Sequence, residues 1–132
     1  MNTIEQAIED SKYMLNMQDN YDDEGEISVS LNTWEITVGK LREIYAIVKN
    51  GYGMDLIAPK IYHGNNGSID IFWETRKYKL LANFPTHDET IIPDEEPRVS
   101  FFGQTQEDEN IKGSFPISGG NNLIWVLIGL SQ

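Results

Sequence analysis

One segment of this chain has the spacing of a metal loop. In Asn20-Tyr21-Asp22-Asp23-Glu24-Gly25-Glu26-Ile27-Ser28, aligned on Gly25, oxygen donors fall at the first, third and fifth places of an EF-hand-like loop, with the turn glycine sixth and an apolar residue eighth. Calcium takes about six to eight oxygens, two of them usually from a glutamate at the twelfth place, where this chain has Leu31. Asn20, Asp22, Glu24 and Glu26 are therefore candidate ligands for an ion or small polar ligand, against the alternative of a solvated loop. The histidines, His63 and His87, lie in loop-like sequence with no second histidine at helical or hairpin spacing. His87 beside Asp88 and Glu89 is a weak divalent-ion candidate or an exposed loop residue. Asp70 and Glu74, four apart on a strand pattern, share a face, and with His63 they are the candidate set for acid–base chemistry. The competing reading is a solvated sheet face. No Gly-x-Ser-x-Gly elbow occurs, and the turn at 64–68 lacks the Gly-Lys-Ser/Thr ending of a phosphate loop. The chain has no cysteine, which removes thiolate metal sites, a Cys nucleophile and any disulfide scaffold.

Charge is sorted more strongly than any motif. Residues 1–30 hold eight carboxylates against Lys12, residues 86–110 hold eight against Arg98, and residues 31–85 hold five acids against seven bases, in a chain of net charge −11. Such a field opposes direct contact with nucleic acid or an anionic membrane and steers toward basic surfaces. The acidic groups nominated for partner binding are Asp22, Asp23, Glu24 and Glu26 with Asp94, Glu95, Glu96, Glu107, Asp108 and Glu109. Gathered on one flank, they would mimic a phosphate backbone in the groove of a nucleic-acid-handling protein. The alternative is that they only keep the molecule dispersed. Arg76, Lys77 and Lys79 around Tyr78 form a basic-aromatic cluster that either meets a phosphate strand or offsets the acidic loops.

The elements that must position these groups follow from periodicity. Apolar residues from Ile4 to Leu15 predict a helix over about 3–17, capped by Thr3. Trp34, Val38, Leu41, Ile44, Tyr45 and Val48 predict a second, capped by Asn32 or Thr33 and ending after Lys49 at Asn50, Gly51 and Gly53. Alternating or extended runs at 56–62, 68–74, 78–84, 98–104 and 111–117 predict strands, the first an edge strand because of Pro59. A last apolar run, Leu123 to Leu130, predicts a short buried helix and is also a candidate homodimer seam. The fold class is α+β: two N-terminal helices on a four- to five-stranded antiparallel sheet, with a short C-terminal helix, in a single domain over 1–132. The N-terminus lacks the pattern of a signal peptide and no apolar run reaches the roughly 20 residues of a membrane span, so a cytoplasmic location is expected.

Tyr21-Asp22, Gly25, the helix from Trp34, Pro59 and Gly67-Ser68-Ile69-Asp70-Ile71-Phe72-Trp73 together resemble a group of small uncharacterised α+β proteins of bacteria and mobile elements. The resemblance spans roughly 20–85 and implies the same fold class but no activity, cofactor or catalytic residue. Tyr21 stands where that group more often has Trp. The expected function is a non-enzymatic, acidic protein-binding module without a cofactor. Its expected setting is a phage or mobile-element inhibitor, of anti-CRISPR or similar anti-defence type, that engages a basic nucleic-acid-binding protein. The alternative is an ion- or small-ligand-binding domain using the loop at 20–28.

Overall fold

Ser30 opens the longest helix, α2 (Leu31–Tyr52): its backbone is extended and its Oγ accepts the Thr33 N–H at 3.1 Å. The structure, a computed structural model, describes residues 3–17, 28–86 and 97–131. Asn32 and Thr33, expected as caps, already lie inside the helix, and Glu35 stands beyond its first turn. The helix runs past Asn50 and Gly51 and stops at Gly53, whose φ of +66° only glycine adopts without strain.

The first expected helix divides in two. Thr3 caps α1 (Ile4–Asp10), and the chain then tightens into a 3-10 turn over Ser11–Asn16. Ser11 explains the change. It is buried, donates its hydroxyl to the Ile8 carbonyl at 2.6 Å, and accepts the Trp34 indole N–H at 2.9 Å, so α2 fixes the point where regular α geometry ends.

Five strands follow: β1 (Lys60–His63), β2 (Ile69–Glu74), β3 (Tyr78–Phe84), β4 (Arg98–Thr105) and β5 (Asn110–Pro116). They pair in sequence order, every neighbour antiparallel. The first strand begins at Lys60, not residue 56, because Pro59 has no N–H to give the ladder. The last helix, α3 (Asn121–Leu130), comes after the sheet, so the helices are not all N-terminal.

Register sorts the strand residues onto two faces. Ile61, Ile71, Ala82 and Phe101 lie opposite one another in one row, and Trp73, Leu80 and Gly103 in the next. This inner face meets the helices: α1 touches β1, α3 touches β5, and α2 crosses between them. The Tyr45 hydroxyl of α2 accepts the indole N–H of the fully buried Trp73 at 2.9 Å and donates to the Ile57 carbonyl. Burial pushes that phenol well above its usual range. Leu123, Ile124, Leu127 and Ile128 of α3 belong to this same core, which leaves Trp125, 61% exposed, as the large outward residue of that helix. Among the described residues no helix is long and apolar enough to cross a membrane.

Candidate functional site

All three helices lie on one side of the sheet, and among the described residues no helix covers its other face. Alternation requires that the outward residues come from the positions between the core residues. One transverse row on that face reads Lys60, Phe72, Leu81, Phe102 and Lys112, one residue from each strand. Phe102 is 54% exposed and Leu81 39%, while Phe72 between β1 and β3 is half-buried. Tyr62 stands beside this row, 45% exposed. A solvated antiparallel face ordinarily carries polar residues at such positions, and contiguous apolar exposure marks interaction surfaces.

Two shallow hollows flank the row. One of about 450 Å³ lies over β3 to β5, between Leu81, Asn83, Ser100, Phe102, Lys112 and Ser114. The other, about 210 Å³, lies over β1 and β2 between Ala58, Lys60, Tyr62, Phe72 and Glu74. Beneath the first, on the inner side, the Phe101 ring lies across the backbone of Gly113, where a Cβ would sit 2.6 Å from its Cζ.

Among the described strand residues the outer face carries more cations than acids, although the chain is acidic: Lys60, Lys79, Arg98 and Lys112 point outward, and Asp70 and Glu74 are the acids among them. Lys79 reaches Glu74 at 4.0 Å, and Arg98 donates to the Ser114 hydroxyl at 3.0 Å. Among the described residues, Lys60 and Lys112 have no carboxylate within ion-pair distance.

The acid–base set is not brought together. Asp70 and Glu74 share the outer face but lie four residues apart on one strand, roughly 13 Å, beyond the ~9.5 Å that paired carboxylates span. Asp70 accepts the Asn83 side-chain N–H at 2.8 Å. His63 pairs with Ile69 and so faces the helices, where its Nδ1 shares a hydrogen bond of 2.9 Å with the Tyr13 hydroxyl. It fastens the 3-10 turn to β1.

Of the nominated acids, Glu107, Asp108 and Glu109 form the exposed tip of the β4–β5 hairpin. The Gln106 N–H donates to the Lys77 carbonyl at 2.8 Å, which sets this tip against the Arg76, Lys77 and Lys79 cluster. Asp108 lines a hollow of about 190 Å³ with those three cations. The basic hairpin thus sits where it offsets the acidic one. Asn20, Asp22, Asp23, Glu24 and Glu26, like His87, Asp94, Glu95 and Glu96, lie outside the described residues. The Pro97 carbonyl accepts the Ile117 N–H at 3.0 Å, at the opposite end of β4 from the acidic tip. Among the described residues no three His, Asp or Glu side chains are grouped as a metal site would need.

The outward row is what motif reasoning passed over. Its signal was the doublets Phe72-Trp73, Leu80-Leu81 and Phe101-Phe102, each of which must send one apolar side chain outward when its partner is core. No family model matches the chain, and no curated protein and no solved structure matches it either.

Proposed function

We propose that this domain works by binding another protein through the outer face of its sheet. The observation that carries the reading is the outward row Phe72, Leu81 and Phe102, which spends large apolar residues where solvent would favour polar ones. The two flanking hollows give side chains of a partner somewhere to seat. To test it, a photo-crosslinking amino acid is placed at position 102 in source cells, and at exposed Glu43 on α2 as control. A defined adduct is expected from 102 alone. The partner it identifies, once purified, should bind Phe102→Ser at least about tenfold more weakly than wild type. Adducts of equal pattern from both positions, or a partner indifferent to Phe102→Ser, would refute the reading.

A second reading keeps the acidic chemistry. Glu107, Asp108 and Glu109 are all exposed at one end of the sheet, and such a tip suits a basic partner. An inhibitor of a nucleic-acid-handling protein, in phage or mobile-element biology, is the finer form of that proposal. Reversing the three acids to Lys should abolish binding of such a partner and leave the melting temperature nearly unchanged. Binding that survives the reversal removes this second reading.

A further inference from the structure

Resting on the outer face as a docking surface, we infer that its occupant is a segment of a partner protein with apolar side chains between two carboxylates. Its apolar part lies over Phe72, Leu81 and Phe102, and its acids meet Lys60 at one edge of the sheet and Lys112 at the other.

The order of the row supplies the first argument. Lys60 is on edge strand β1 and Lys112 on edge strand β5, with the three apolar residues on the strands between them. Four strand spacings separate the lysines, roughly 19 Å of transverse width. A helix of about 13 residues or an extended segment of about six covers that distance.

The second argument is desolvation. An apolar occupant seated on Phe102 and Leu81 strips water from the neighbouring ammonium groups, and neither has a carboxylate within ion-pair distance among the described residues. Docking therefore favours an occupant that brings its own negative charge to each end.

A second copy of the chain fits poorly, because two such rows laid face to face bring lysine against lysine in either direction. A nucleic acid strand fits poorly as well. It meets the field of a chain with net charge −11, and among the described residues the row offers it one lysine without an ion-pair partner at each end, not a basic track along its backbone.

The test is a titration of the isotope-labelled full chain followed by backbone NMR shifts. The probes are a synthetic amphipathic peptide of about 15 residues with Glu near both ends, the same peptide with Gln or with Lys there, and an oligothymidylate of matching length. The Glu peptide should shift the amides of 60, 72, 81, 102 and 112 and bind about tenfold more tightly than the Lys peptide, since two favourable pairs replace two repulsions. In the variant K60E/K112E, which alters two exposed side chains, the order of the two peptides should reverse.

Equal binding of the Glu, Gln and Lys peptides would overturn the acidic chemistry and leave the docking face standing. Preference for the oligothymidylate would overturn the choice of a protein segment. If no peptide shifts the face, the inference and the docking reading fall together.

Discussion

Phe101 and Phe102 are consecutive on β4 and should behave as though they belonged to different proteins. Phe101 is 5% exposed, packs 6.3 Å from Phe115 between ring centroids, and lies over Gly113. Phe102 is 54% exposed and has Leu81 and Lys112 as its cross-strand neighbours. Burying a whole Phe side chain is worth about 1.5–3 kcal/mol, so the half-covered Phe102 contributes about 1 kcal/mol. Removing Phe101 adds a cavity term, for a total of about 3–5 kcal/mol. Phe101→Ala and Phe102→Ser are compared by urea unfolding. With a slope of about 1.5 kcal/mol/M, the midpoint should fall by about 2–3 M for the first and by well under 1 M for the second, at equal slopes. Phe102 would then be dispensable for folding, as a residue kept for contact with a partner must be. A Phe102→Ser cost above about 2 kcal/mol would mean that this side chain is covered in solution and that the open face is misjudged.

Two further substitutions probe how the site is held. Tyr45→Phe strands the buried Trp73 indole N–H and the Ile57 carbonyl, and should cost about 2 kcal/mol, read as a melting temperature lower by about 8 °C; a shift under 2 °C counts against the bridge. Because the folded state raises the phenol's pKa above its ordinary 10.0, wild type holds that contribution below pH 10 and loses it as pH rises further, and Tyr45→Phe should flatten this alkaline decline. Arg42 donates both Nε and Nη2 to Glu5 at 2.9 Å, tying α2 to α1 and holding the carboxyl below its ordinary pKa. The pair is exposed, so a double-mutant cycle should give only about 0.5 kcal/mol near neutral pH, vanishing as acid protonates Glu5; a coupling unchanged in acid would refute the assignment.

The core was legible because its residues repeat at the period of their element. Val38, Leu41, Ile44 and Val48 mark one stripe of α2, and Ile69, Ile71 and Trp73 one face of β2, and the structure buries all seven. What escaped were events decided across the chain. Nothing local says that Ser11 will receive the Trp34 indole N–H and end α1, or that Ser30 will win the cap from Asn32. His63 looked like a candidate base because its sequence is turn-like, but pairing with Ile69 turns it toward Tyr13. Asp70 and Glu74 were correctly placed on one face; their separation along a single strand is what denies them a shared proton. The outer row was hidden because each of its residues neighbours a core residue in sequence, and only register lines up one such residue per strand.

The charge map leads to a salt dependence that separates this surface from an ordinary ion-pairing one. An acidic segment approaching the molecule first feels a net charge of −11 and only at close range the cations of the outer face. These two effects have different reach, and salt removes the longer one first. The Debye length is about 30 Å at 0.01 M, about 8 Å near 0.15 M and about 3 Å at 1 M. Between the first two concentrations the repulsion across the whole molecule is screened while contacts of about 3–4 Å at Lys60 and Lys112 are largely kept. Affinity for the Glu-ended peptide should therefore rise with salt to a maximum near physiological strength and fall toward 1 M. In K60E/K112E the attraction at both ends of the row becomes repulsion, and the same peptide should bind better as salt is added. Titration at five or six salt concentrations measures the curve directly. A steady fall from the lowest concentration onward would show that the carboxylates elsewhere on the chain are not felt at the sheet, and that the face acts as an isolated basic patch.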